Sequence, residues 1–364
     1  MNAMPGAQRG RQKGRDIMQH EITSKQRLLN ERGNITEPGY AKRLYLQYDR
    51  NDIRAPKWRI KEWDYYYIGN QDYGLALTIS DAGYVSSLSV SLLIYGDEPE
   101  QWNDGAMGML PLGKLNLPST SERGDISAKV GKADMSFMNN GKQRVLKGKF
   151  DRFAGYDCAL TFDITLSDIP EESMVIATPF NKSAHFYYNQ KINCMSADGS
   201  VEFNGKTYRF ESKEGAMGTL DWGRGVWTYD NTWYWGSGQM LLESGDRFGF
   251  NIGCGFGDTS AASENMLFWN GSSHKLKDVT FEISRKTGGS YDYMKPWTFT
   301  ETDGRFEMTM KPVIDRQAPV NLGVICMIPH QVFGLMSGKA VLDDGTEVHI
   351  QDRMVFAEHV HNKW

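Results

Sequence analysis

Cysteine is scarce and scattered. The 4 cysteines in 364 residues are Cys158, Cys194, Cys254 and Cys326, and no two of them form a C-x-x-C pair. That spacing excludes a compact disulfide framework and a zinc ribbon, and leaves free, buried thiols in a reducing compartment as the economical reading. No run of about 18 apolar residues occurs, which excludes a helical membrane span. Charge of one sign is not in excess either: 41 basic and 45 acidic residues give a net charge of -4. Without a basic stripe to track a phosphate backbone, nucleic acid is not an expected partner. Helical periodicity is also thin. Residues 20–32 and 259–267 carry the best of it, the second with Asp258 or Thr259 placed as its cap.

Glycine and aromatic residues are abundant, with 38 Gly, 10 Trp, 17 Tyr and 17 Phe. This composition favours sheets and turns. Cys158, Leu160, Phe162, Ile164 and Leu166 alternate with polar neighbours, and Leu88, Val90, Leu92 and Ile94 alternate with serines, as in strands with one wet face. Turn dipeptides sit between such runs at Asn140-Gly141, Asn204-Gly205, Asn270-Gly271 and Asp344-Gly345. Many short strands with closely spaced turns predict an all-β chain of antiparallel barrels or sandwiches with few short helices. Its length suits two packed domains, 21–195 and 196–364, with seams near 168–172 and 196–200. Residues 1–20 hold Arg9, Arg11, Lys13 and Arg15 with no apolar stretch behind them, so they read as a disordered basic arm of a cytoplasmic protein, not a secretory signal. Met18 offers an alternative start, and a mitochondrial address is the weaker reading of the arm.

Four of the ten tryptophans, Trp222, Trp227, Trp233 and Trp235, fall within residues 218–235. Ser244-Gly245-Asp246 then has the composition of a hairpin loop. Pairing Glu243 with Arg247 across it puts Trp235 opposite Gly255 and Trp233 opposite Gly257. Phe248, Phe250, Ile252, Cys254 and Phe256 then line one face. Gly249, Asn251, Gly253, Gly255 and Gly257 leave the other nearly bare. Tryptophans over glycine strands can simply fill a core; equally, the bare face can make room for a flat, greasy ligand.

Charge among these aromatics is the sharper clue. Asp221 and Arg224 flank Trp222 and, once desolvated, must pair or acquire a function. One reading is a structural Asp221–Arg224 pair. In the other, Asp221 is an acid of raised pKa, with Trp222, Trp227 or Tyr229 stabilising developing positive charge. Glu264 joins Asp221 as a catalytic candidate, and Asp258, Asn265 and Asn251 are polar anchors beside it. Trp58 and Trp63, interleaved with Arg59, Lys61, Glu62 and Asp64, form either an exposed strand or a second wall of the cleft. No cofactor or metal site is expected. Gly253-Cys254-Gly255-Phe256-Gly257 lies within a strand pattern, not at a nucleotide-binding turn, and Glu358-His359-Val360-His361 reads as surface or tail.

These residues carry a family resemblance. Ile35-Thr36-Glu37-Pro38-Gly39, residues 55–63, Asp221-Trp222-Gly223-Arg224-Gly225-Val226-Trp227, residues 233–238 and residues 257–265 resemble the family called domain of unknown function 2804, over about 18–364. More remotely, the all-β content and Trp-Asp core resemble the paired lipocalin-like domains of the carotenoid hydratase, tocopherol cyclase and Diels-Alderase group. That resemblance implies two calycin-like β units around an apolar ligand, with Asp221 as the one acid carried over. The expectation is binding of a hydrophobic lipid, terpenoid or polyene in an aromatic pocket of Trp222, Trp227, Trp233 and Trp235. The alternatives are acid-catalysed hydration, isomerisation or cyclisation through Asp221, carbohydrate chemistry on the same indoles with a second carboxylate, and a purely structural role.

Overall fold

The computed structural model describes residues 19–321 and 325–363, so the basic arm expected over 1–20 lies, as far as residue 18, outside the described residues. Among the described residues there is no α-helix, only the short 3-10 turns Arg50–Asp52, Lys57–Arg59, Phe153–Gly155 and Ser212–Glu214. Both stretches expected to be helical are mostly extended or irregular. Asp258 caps nothing: its Oδ1 accepts from the Ser260 N–H at 3.0 Å in a turn. The local hydrogen bonding of Asp and Ser that marks a helix start serves a loop equally well.

Two large curled antiparallel sheets dominate the described residues, beside a short parallel pair of Gln26–Arg27 with Leu46–Gln47. Along the main path of the first, the order is Glu100–Met109, Val85–Ile94, Tyr73–Asp81, Ile60–Gly69, Met217–Val226, Phe186–Phe203, Leu160–Ser167, Arg144–Phe150, Ala133–Asn139 and Ile126–Val130. It is nearly a barrel. Its two ends are drawn together where Lys132 Nζ meets Asp104 Oδ2 at 2.5 Å, and that carboxylate also accepts from the Ala154 N–H. The second sheet runs Ser272–Lys275, Met266–Trp269, Arg247–Cys254, Asp230–Leu241, Glu347–Lys363, Cys326–Val341, Phe306–Arg316, Trp297–Glu301 and Val279–Ile283.

The four turn dipeptides connect paired strands, with Asn204, Gly205, Asn270 and Gly271 all at positive φ, the conformation that asparagine and glycine reach most cheaply. The seam expected at 195 and 196 falls inside Phe186–Phe203. The chain instead leaves the first sheet at Val226 and enters the second at Asp230. The polar composition that suggested a seam belongs to the outer half of a bent strand. One extra residue enters between the pairs Ile192↔Leu220 and Met195↔Gly218, with Cys194 at φ 63, and a bulge of this kind bends the strand and resets its pleat. Before it, Phe186, Tyr188 and Ile192 face the first barrel's core; after it, Met195, Ala197, Val201 and Phe203 do.

Three apolar clusters result: the first barrel's interior, the hollow of the second sheet, and a layer between the sheets. Alternation assigns each residue to one of them. In Met217–Val226, Leu220, Trp222 and Val226 enter the first barrel while Met217 enters the middle layer; in Ile60–Gly69, Tyr66 and Ile68 turn inward while Tyr65 and Tyr67 turn to the middle. Asp221 therefore faces the second sheet, and Trp222 does not.

Candidate functional site between the two sheets

The strands around Asp221 contribute a few polar side chains to an otherwise aromatic layer. Asp221 Oδ1 lies 2.9 Å from Lys191 Nζ and accepts from Asn189 Nδ2 at 2.6 Å, all three residues being buried. The Lys191 ammonium also lies 4.0 Å from the centre of the Trp235 ring, a cation–π contact strengthened by desolvation. Trp235 is held from behind, its Nε1–H donating to Asn251 Oδ1 at 2.7 Å, while Asn251 Nδ2 donates to the Glu264 carbonyl at 2.8 Å.

Two glutamates complete the layer. Burial pushes the Glu264 carboxyl up to about 7; Lys191 opposes the shift and Asp221 adds to it. Tyr187 OH donates to Glu264 Oε2 at 3.4 Å, and Glu264 Oε1, buried, meets no donor among the described residues. Glu358 is likewise pushed up to about 7 by burial, against the pull of its hydrogen bond from Trp233 Nε1 at 2.8 Å. Its other oxygen accepts from Gln331 Nε2 at 3.2 Å. Near neutral pH the site thus holds two carboxyls able to give up a proton beside an ion pair that keeps its charge balanced.

The segment bearing Glu264 is firmly held. Lys275 Nζ donates to Ser263 Oγ at 3.1 Å and to the Asn265 and Leu276 carbonyls at 2.7 and 2.8 Å. Asn265 donates to the Lys277 carbonyl and accepts from the Gly253 N–H. A Cβ on Gly253 would stand 2.1 Å from Glu264 Oε1, so this glycine leaves the space that the carboxyl fills.

The walls are aromatic. Trp63 stacks on Tyr187 with centroids 6.3 Å apart, Trp227 meets Trp233 at 5.3 Å, and Tyr187 stacks on Phe256 at 5.0 Å. The observed register sets Trp235 opposite Gly253 and Leu241 opposite Arg247, two residues from the expected pairing, because the loop spans residues 242–246. A shift of two preserves the faces. The expected apolar face keeps Phe248, Phe250 and Ile252, but Phe256 leaves it: the strand ends at Cys254, Gly255 and Gly257 turn at positive φ, and the ring swings to the tryptophans. The bare glycines receive other groups than expected, Gly249 the Cys194 thiol and Gly253 the Glu264 carboxyl, while the Trp63 indole covers Gly223.

A cleft of about 380 Å³ opens at one end of this layer, lined by Gln71, Thr219, Ser237, Gln239, Met354 and their neighbours. Thr219 and Ser237 stand two residues along their strands from Asp221 and Trp235, a step of about 7 Å. Asn193, likewise two from Lys191, donates to Ser237 Oγ at 2.8 Å, and its own Oδ1, buried, meets no donor among the described residues.

Of the expected site residues, Asp221, Glu264, Trp63, Trp227, Trp233, Trp235 and Asn251 come together in this layer. Trp222 and Arg224 lie on the opposite face, inside the first barrel, where the guanidinium stands 4.2 Å from the Trp222 ring. Asp221 and Arg224 are three apart on a strand and cannot share a face. Arg224 pairs instead with Asp64 at 2.9 Å. Tyr229, in the turn between the sheets, and Trp58 are about half exposed, at 48% and 50%, and Asp258 is exposed. Asn265 spends its amide on backbone groups.

The profile of the family domain of unknown function 2804 matches residues 19–364. The chain belongs to that family. No curated protein matches the chain. Among solved structures, an AttH-type protein of Nitrosomonas europaea superposes with TM-score 0.51 at 10% identity, covering 86% of this chain and 96% of its own. Kievitone hydratase of Nectria haematococca gives 0.45 at 12% identity, over 84% and 88%. CghA gives 0.39 at 9%, also over 84% and 88%. For the first of these the likeness shows a shared fold. In this member of the domain of unknown function 2804 family, the motif residues Asp221, Trp227, Trp233, Trp235 and Glu264 all reach the layer between the sheets.

Sequence reasoning missed Lys191, Asn189, Tyr187 and Glu358. A signal existed for the last: Glu358 continues the buried series Met354, Phe356 and Val360 on one strand face. Lys191 gave none, because alternating Asn189, Lys191 and Asn193 look like an ordinary wet face.

Proposed function

We propose that the protein binds an apolar, unsaturated small molecule between its sheets and converts it by acid catalysis, as a hydratase, isomerase or cyclase, with Glu264 as the acid. One observation carries this: the buried Glu264 carboxyl, with one oxygen unbonded and protonated up to about pH 7, beside the Lys191–Asp221 ion pair and under aromatic rings. Burial makes a neutral carboxylic acid available at a pH where an exposed glutamate has already lost its proton.

The chemistry balances simply. Glu264 gives its proton to one alkene carbon, leaving a cation at the other, which the surrounding aromatic layer stabilises. In a hydration, water attacks that carbon and its surplus proton returns to the Glu264 carboxylate; in an isomerisation or cyclisation, a neighbouring C–H proton returns instead. Lys191 already covers one face of Trp235, so Asp221 serves to keep that ammonium neutralised and in place. This assigns the acid to Glu264 and a positioning role to Asp221.

Binding without turnover is the second reading, favoured by the same aromatic walls. The deciding experiment is native and then denaturing mass spectrometry of protein purified gently from cell extract. A co-purifying polyene, terpenoid or lipid supplies the substrate. It should be turned over by the parent protein and merely bound by Glu264→Gln, with affinity little changed. Equal turnover by the variant removes Glu264 as the acid; a bound molecule that neither protein alters leaves binding as the function.

A further inference from the structure

The open end of the first barrel holds a second cleft, of about 430 Å³, away from the layer just described. Arg144, Asn139, Gln190, Ser121 and Ser173 line it with buried polar groups, while Ile192, Leu44 and Ile169 supply apolar wall. Arg144 is the unusual member. It is 4% exposed and stands opposite Asn139 at the end of its strand, on the face that carries Leu146 and Phe150 into the core. Its Nη2 donates to the Ser121 carbonyl at 2.7 Å and its Nη1 reaches Tyr66 OH at 3.4 Å. Its Nε meets no acceptor among the described residues.

Among the described residues no carboxylate forms an ion pair with this guanidinium. Asp64, the buried carboxylate whose charge it feels, is already bonded to Arg224. The acidic groups at the rim are committed or turned outward: Glu171 pairs with Arg43 at 3.3 Å, and Glu122 is exposed. The other buried polar groups give Arg144 no compensating charge. Asn139 donates to the Ser121 carbonyl, and Gln190 is engaged by Ser121 and Ser173. A buried cation without a counter-ion is costly unless something supplies the charge.

We propose that the first barrel's mouth is a binding site for a small monocarboxylate with an apolar body, its carboxylate on Arg144 and its body against Ile169, Ile192 and Leu44. With the rim's Arg43 already paired to Glu171, the one buried cation among neutral amides and hydroxyls balances one negative charge, and barrel mouths are recurrent places for such ligands. The site shares no residue with the layer between the sheets and stands whatever that layer does.

The test uses the full chain and four probes, hexanoate and benzoate with their neutral amides, in saturation-transfer NMR and calorimetric titration. The acids should bind and the amides should not. Arg144→Met should weaken the acids at least about ten-fold. Ile169→Trp, which fills the mouth and keeps the charge, should do the same, and decides the matter should Arg144→Met fail to fold. Absence of saturable binding by both acids overturns the proposal. So does equal binding of acids and amides, or binding that survives in every folded variant.

Discussion

Replacing Glu264 by glutamine converts its shifted carboxyl into a measurement of stability against pH. The carboxyl titrates near 4.5 when free and at about 7 in the folded protein, with burial as the main cause. A gap of that size corresponds to about 3 kcal/mol. Between those two values the unfolded chain has released this proton while the folded chain retains it, so unfolding stability falls as pH rises. The stabilising contribution is complete below about 4.5 and is gone once pH has passed about 7. Glutamine has no proton to lose. Denaturant titrations of the two proteins at constant ionic strength, from pH 4.5 to 8, should therefore show the glutamine variant gaining on the parent by about 3 kcal/mol across the range. Glu358 and every other titrating group are common to both proteins, so most of their effect cancels in the difference. A difference that stays flat with pH would refute the claim that Glu264 is held neutral, and with it the acid assigned to the site.

Two further perturbations probe the same layer. Lys191→Met leaves the buried Asp221 with only Asn189 as partner and should destabilise the fold by about 3–5 kcal/mol in denaturant titration; adding Asp221→Asn should recover much of that loss, and no recovery would show that the pair is not the cause. Trp233→Ala removes a packed indole and the donor to Glu358 Oε1, so fluorescence quenching by any co-purified ligand should shrink clearly, and unchanged quenching would place the ligand elsewhere.

Much of this architecture is legible in the residues themselves. The alternation of Leu160, Phe162, Ile164 and Leu166 and the turn at Asn204-Gly205 are local features, and local features survive folding. The crowding of Trp227, Trp233 and Trp235 near Asp221 also marks the right region, since Asp221 and the last two tryptophans sit on successive strands of the two sheets that face each other across the middle layer, with Trp227 in the turn between them. What escapes is whatever depends on partners distant in the chain. Asp221 is next-but-two to Arg224 in sequence, yet the pleat separates them: Arg224 pairs with Asp64, 160 positions upstream, and Asp221 with Lys191, 30 positions upstream. The same alternation that predicts a strand cannot say which of its faces is wet when both are covered. That is why Asn189, Lys191 and Asn193 pass for surface and Glu358 for tail.

The extra residue at Cys194 acts as a phase switch for the longest strand. Upstream of it the odd-numbered side chains point to the second sheet, and downstream they point into the first barrel. Removing that one residue would force an all-or-nothing choice: keep Lys191 beside Asp221 and expel Val201 and Phe203 to solvent, or keep those two inside and turn the lysine away from its aspartate. The first barrel's closure and the placement of the buried ammonium are thus wired to the same position, so an insertion or deletion there cannot be absorbed as it would be in a loop.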